Sequence, residues 1–322
     1  MPSSRDIKNR IKSIGSTKKI TKAMEMVSAA KMRKAIEAAL RTRTYANLSW
    51  ATVLNLAESM QGNNEPWHAL LAPKKDIKKV GVVLITSNRG LCGGFNTAII
   101  SKVYESIQKH QSAGASAIAT EFILIGKKGA AVVSRGQTVV ADFPKLDLTS
   151  EVKEIVPAAR LMIDDYLKGK YDKVMVAYTD FVSSSKQIPR VKQLLPIEID
   201  KTDQYLGIVG QDPRIGLNKE FIEDKEKKHL QAGKLNFEYT FEPSPAEVLD
   251  QMLPRLIEVQ LFQALLESNA SEHSARMAAM HQATEAAGDM VGELTLSFNK
   301  ARQAGITSEI AEISAGANAL AE

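Results

Sequence analysis

The sequence predicts an α/β protein: a long antiparallel coiled coil of N- and C-terminal helices plus a central α/β domain with a mainly parallel sheet. Three observations predict it. Residues 3–58 contain no proline and one glycine, Gly15, so no breaker interrupts a helix there. Near the other end, eleven successive positions keep a 3.5-residue apolar period. Between these regions short apolar runs alternate with helical stretches, the order that builds a parallel sheet. The chain has 322 residues, 44% hydrophobic and 25% charged, which suits a globular protein of roughly two domains.

The first element is a helix within residues 1–60. Its apolar positions are Ile7, Ile11 and Ile14, then Ile20, Met24 and Val27, then Ile36 and Leu40. These three- and four-residue steps broken by phase slips read as an interrupted seam. Fifty-odd helical residues span roughly 80 Å, so part of the helix must project from a globular domain. The stretch QGNNEPW (Gln61–Trp67) ends it. Residues 1–43 also hold twelve Lys and Arg against three acids, a net +9 in a chain of net +5. A basic arm on a slightly acidic remainder calls for an acidic partner, be it nucleic acid, anionic lipid or protein carboxylates; the alternative is a solvated helix face.

The middle element, residues 77–200, opens with the buried strand KVGVVLIT (Lys79–Thr86) and a glycine-rich turn, NRGLCGGFN (Asn88–Asn96). A helix over 97–111 follows, then EFILIG (Glu121–Gly126), a short helix KKGAAVVS and the strand TVVADF (Thr138–Phe143). A helix carrying Glu151, Ile155, Ala159, Met162 and Leu167 leads into KVMVAYTDF (Lys173–Phe181). The alternation is Rossmann-like. Residues 201–241 lose the pattern and read as an insertion, a possible hairpin of YLGIV and LNFEYTF around a charged tip.

The last element, residues 244–322, starts with Ser244 as N-cap, Pro245 at the first helical position and Glu247 completing a capping box. Pro254 is expected to kink it early, and Gly316 to end it. Its seam runs Leu266, Ala270, His273, Met277, Met280, Thr284, Ala287, Val291, Leu294, Phe298, Ala301. After a slip near Gly305 it is expected to resume at Ile306, Ile310, Ile313, Ala317 and Leu320. Ala, Met and Thr in place of Leu suit a closely approached contact rather than a maximally stable zipper. The two terminal helices are expected to pair within one chain, because a compact middle brings their near ends together.

Reactive chemistry finds no support. The glycines at Gly90, Gly93 and Gly94 do not make GxGxxG, and no Gly-Lys pair completes GxxxxGK[ST]. Amides around Gly93 and Gly94 suit either a tight turn or a weak anion site. Cys92 is the one cysteine, with no histidine nearby in sequence, which excludes an internal disulfide and a multi-cysteine zinc site. His273 sits on the seam beside Glu272 and reads as a polar seam position. No metal, no cofactor and no catalytic residue is expected, nor a secretory signal or membrane helix, which favours a cytoplasmic chain.

Three separated motifs carry a family resemblance. IKNRIKSIGSTKKITKAMEMVSAAKMRKA (Ile7–Ala35), ITSNRGLCGGFN (Ile85–Asn96) with YTDFVSSSKQ and LLP (Tyr178–Pro196), and the C-terminal run from Leu265 to Leu320 resemble the gamma subunits of F-type ATP synthases. The resemblance implies a non-catalytic rotor shaft. Its coiled coil would penetrate a ring of alpha and beta subunits, with the α/β domain at the foot beside the epsilon subunit and the c-ring. Proton- or sodium-driven rotation would then drive conformational change in beta. By family match, Lys22 and Met24 lie near the acidic lever segment of beta, and Arg276, Gln303 and Thr307 match positions that meet the beta catch region. The implied location is peripheral, on the cytoplasmic face of a bacterial plasma membrane, without direct membrane insertion. The segment 201–241 resembles the place where photosynthetic members carry a regulatory insertion; without cysteines it cannot form their disulfide switch. On residues alone two other classes stay open. A nucleic-acid-binding coiled coil is weakened by the lack of any aromatic before Tyr45, and a nucleotide-dependent enzyme by the failed motifs.

Overall fold

The computed structural model describes residues 4–59, 68–72, 74, 76–112, 118–146, 151–197 and 245–321. The expected insertion at 201–241 lies outside them. Strand β1 (Lys79–Ile85) reads KVGVVLI, and its last five residues are buried. A strand covered on both faces needs an unbroken apolar run rather than alternation. It pairs in parallel with β2 (Ala119–Ile125) on one side and β4 (Lys173–Ser183) on the other. β3 (Thr138–Phe143) joins β2 in parallel, and β5 (Lys186–Leu195) joins β4 antiparallel, giving the order β3-β2-β1-β4-β5. The four parallel strands thus follow a Rossmann-like order, 3-2-1-4.

The crossover helix α2 (Phe95–Ser112) buries Ile99, Ile100 and Val103 against Val82, Leu84, Phe122 and Leu124. The expected short helix after β2 is a 3-10 helix, Lys127–Arg135. Helix α3 (Val156–Leu167) follows a 3-10 turn at Val152–Glu154; Ile155, Ala159 and Met162 are buried, whereas Leu167 is half exposed. No strand is expected over β5, and the reason is local. The turn before it has no glycine or asparagine; instead the Ser183 hydroxyl accepts the N–H groups of Ser185 and Lys186. Pro189 sits within the strand because β5 is an edge.

The terminal helices are α1 (Ser4–Ser59) and α4 (Pro245–Ala321). The latter continues through both Pro254 and Gly316, each expected to bend or end it. Contacts divide the chain into two compact units, Met1–Ser28 with Arg276–Glu322 and Ala29–Ala275. In the larger unit, residues 261–274 of α4 are buried on every side.

In the smaller unit α1 and α4 lie against one another. Thr284 Oγ1 donates to Thr21 Oγ1 at 2.7 Å, and His281 Nδ1 lies 3.4 Å from the Glu25 carboxylate. A Cβ on Gly288 would meet Lys18 Nζ at 2.9 Å. As positions fall from 25 to 21 to 18 on α1, they rise from 281 to 284 to 288 on α4, so the helices run in opposite directions. All eleven positions of the predicted α4 stripe, from Leu266 to Ala301, are buried or half-buried. The α1 stripe needs correction. Ile20 and Val27 are 59% and 55% exposed, and there is no phase slip. Regular steps of four and three run instead through Ile7, Ile11, Ile14, Lys18, Thr21, Glu25, Ser28, Met32, Ala35 and Ala39, of which all but Lys18 are buried or half-buried. Four polar residues in mid-stripe hide the period from an apolar count. Nor does the α4 stripe resume: Ile306, Ile310 and Ile313 are 49%, 60% and 72% exposed.

The Lys18–Gly288 contact predicts a gain. Gly288→Ala removes the helix cost of glycine, about 0.5–1 kcal/mol, and meets only the mobile end of a lysine. Thermal unfolding should shift upward; a loss above about 1 kcal/mol would mean Lys18 cannot swing away.

Candidate partner-binding surface

The first six turns of α1 present Arg5, Lys8, Arg10, Lys12, Lys18, Lys19 and Lys22, all exposed, with Asp6 and Glu25 as the acids. Lysine and arginine are tolerated there because their heads stay in water while the other face of the helix packs. Lys22 is half exposed, with Nζ 3.0 Å from Glu25. That ammonium, helped by His281, holds the Glu25 carboxyl below its ordinary value of 4.5 against a smaller upward push from burial. The folded state therefore prefers charged Glu25. Its contribution is complete above pH 4.5 and is lost as pH falls through the lowered native value. Acid unfolding of the helix pair should become less steep in Glu25→Gln; an unchanged acid limb would remove Glu25 from the account.

The structure sorts the sequence-predicted residues. Met24 is half-buried between exposed Ile20 and Val27, which share its face at four- and three-residue steps. Arg276 is 9% exposed, embedded rather than displayed. Gln303 and Thr307 are exposed one turn apart, the Thr307 hydroxyl donating to the Gln303 carbonyl at 2.9 Å. By the register, Lys22 and Met24 lie level with residues near 283, about 30 Å along α4 from Gln303. The five residues thus fall in one compact unit but at two levels.

What the sequence reading missed is the bare apolar surface of this unit. Ile20, Met26 and Val27 on α1, and Met290, Leu296, Ile306, Ile310 and Ile313 on α4, are each about half exposed or more. Ile306, Ile310 and Ile313 stand at i, i+4 and i+7 on one helix face. Soluble chains seldom leave such faces bare unless a partner covers them. Their signal was present: Ile20 and Val27 depart from the regular α1 spacing.

The glycine-rich loop is held by its own polar groups. Ser87 N–H donates to Asn96 Oδ1 at 3.0 Å, and Asn96 Nδ2 donates to Ser87 Oγ at 2.8 Å and to Cys92 Sγ at 3.3 Å. Cys92 is buried, and Gly93 takes the left-handed conformation, φ +54°. These are the features of a tight turn. Among the described residues no three His, Cys, Asp or Glu side chains could jointly hold a metal ion, and no helix is long and apolar enough to cross a membrane.

Long opposed helices with bare apolar faces, beside an α/β domain, have the architecture of a stalk-type subunit of a larger assembly. The family model described as ATP synthase matches residues 3–320. The ATP synthase gamma chain of Variovorax paradoxus is 38% identical over 323 residues, covering 100% of this chain and 99% of the relative. That of Herpetosiphon aurantiacus is 40% identical over 327 residues, covering 99% of each. In fold, the chain resembles one from the Euglena gracilis mitochondrial ATP synthase (OSCP/F1/c-ring), with TM-score 0.60, 17% identity and 98% and 94% coverage. It also resembles one from the central stalk and c-ring of the Tetrahymena thermophila enzyme, with TM-score 0.55, 23% identity and 82% and 99% coverage. The chain belongs to the ATP synthase gamma-chain family, the central-stalk rotor subunits of F-type ATP synthases.

Proposed function

We propose that the opposed ends of α1 and α4 form an antiparallel, left-handed coiled coil that turns inside a ring of alpha and beta subunits. The α/β domain, residues 77–200, serves as the foot, bearing on the epsilon subunit and a c-ring driven by protons or sodium ions. The complex lies at the cytoplasmic face of a bacterial plasma membrane, with this chain peripheral to the bilayer. A coiled coil with different side chains on its different faces presents each beta subunit in turn with a different contact. Contacts that favour one conformation of beta over another shift its equilibrium, and with it nucleotide affinity. Lys22 and Met24 meet the acidic lever of beta, while Gln303 and Thr307 meet its catch at the second level. Arg276, embedded nearer the level of Lys22 and Met24, acts by fixing the helix surface as much as by direct contact.

One observation carries this reading: Ile306, Ile310 and Ile313 form an exposed apolar stripe on one face of α4. Charge complementarity supports it, since the basic face of α1 suits an acidic lever. The test is rotation. A bead fixed to a cysteine introduced at exposed Val133, in a complex reconstituted with alpha and beta subunits, should turn in one direction on ATP. The chain alone should show no ATP turnover. A complex that hydrolyses ATP without bead rotation would overturn the reading.

A further inference from the structure

Along α4 the composition changes while the burial does not. Leu253, Leu256, Ile257, Leu261 and Leu265 are buried aliphatics. Residues 267–274 are each at most 5% exposed, yet Ala270 is the one apolar residue among them. Part of this polar band is bonded to the α/β domain. Ser271 Oγ donates to the Thr179 carbonyl in β4 at 3.1 Å, and Ser274 Oγ to the Ser184 carbonyl in the β4–β5 turn at 2.8 Å. Gln187 Nε2 donates to Ser274 Oγ at 3.2 Å. Lys145, just after β3, has a 2% exposed side chain with Nζ 2.6 Å from the Glu272 carboxylate. The same ammonium lies 5.9 Å from the centre of the Phe95 ring, and the Lys145 carbonyl accepts Asn88 Nδ2.

Stability does not explain this band. Desolvating two charges offsets most of their attraction, and an apolar pair of similar volume commonly holds as well or better. Apolar contact, however, is non-directional, so an aliphatic helix face can turn or slide by small steps at little cost. Directional bonds to Thr179, Ser184 and Lys145 are satisfied at one rotational and axial setting alone. We propose that the Lys145–Glu272 pair, with Ser271 and Ser274, is a torsional key that locks α4 to the α/β domain. It rests on the rotor reading, because a rotor delivers torque only if its parts do not slip. These are positioning residues; none touches a reacting group.

The decisive variant is Lys145→Met with Glu272→Leu. Melting should match or exceed the parent, while ATP-driven ion pumping per ATP hydrolysed by the reconstituted complex falls at least threefold. A second readout needs no partner: spin labels at exposed Ser101 of α2 and Gln251 of α4 should show a distance distribution at least twice as wide in the double variant. Charge reversal, Lys145→Glu with Glu272→Lys, should narrow the distribution again and recover pumping. Lys145→Met alone leaves Glu272 buried without that counter-charge and is expected to unfold, so the paired variants carry the test. A double variant with parental width and parental pumping overturns the key. A parent complex that does not rotate overturns the rotor reading instead, and the distance widths then decide the key by themselves.

Discussion

Replacing Ile306, Ile310 and Ile313 together by serine is expected to leave the melting of the isolated chain unchanged and to weaken its binding to the alpha–beta ring at least about 10-fold. The three side chains are 49%, 60% and 72% exposed, so the chain alone gains little from them. Isoleucine and serine are also close in helix propensity, which leaves α4 intact. Covered by a partner, each would contribute up to about 1.5–3 kcal/mol. Even a third of that sum, roughly 1.5–3 kcal/mol, is about ten- to a hundredfold in affinity. Fluorescence titration of the labelled chain into preformed ring subunits reads the change, with far-ultraviolet circular dichroism as the folding control. Parental affinity would show that this face stays wet in the complex and would remove the main support for the rotor reading.

The second large effect belongs to the sheet. Gly126→Ala should destabilise the α/β domain by at least about 3 kcal/mol. Gly126 has φ +107°, a region alanine avoids, and an added Cβ would sit 2.4 Å from the Thr86 carbonyl oxygen. That oxygen belongs to backbone that cannot retreat, because Thr86 N–H donates to the Ile125 carbonyl and Thr86 Oγ1 to the Gly126 carbonyl, both at 2.9 Å. These bonds tie the carboxyl ends of β1 and β2, so relief of the clash would unpair them. Near-ultraviolet circular dichroism during denaturant titration follows the loss. Gly93, at φ +54° with open space around it, provides the contrast: Gly93→Asn should be tolerated, since asparagine accepts that conformation. Equal midpoints for both variants would mean the Gly126 site can rearrange.

Local pattern disclosed most of the elements. β1 and β3 match the predicted runs within a residue or so, because a buried apolar run and an alternating edge each leave a mark in consecutive residues. The α4 stripe was equally readable, since nine of its eleven seam positions are apolar and no Asp, Glu, Lys or Arg interrupts them. The helix α1 shows where such reading fails. Its regular stripe passes through Lys18, Thr21, Glu25 and Ser28, so apolar residues off the stripe were counted in their place. Strand β5 was missed for a similar reason: serine hydroxyls close its turn, and its proline is acceptable at an edge.

The family, the two long helices and the parallel core of the sheet were determined by the sequence alone, because each is written in periodicity or in motifs of neighbouring residues. The tertiary structure decided which polar residues are interior. Thr21 is buried because Thr284 faces it, Glu25 is held low by Lys22 and His281, and Lys145 enters the interior because Glu272 meets it there. It also decided that Ile306, Ile310 and Ile313 are surface, although their apolar spacing reads as a continued seam. Burial is a property of what stands across from a side chain, and partners more than 100 residues away leave no local period in the sequence.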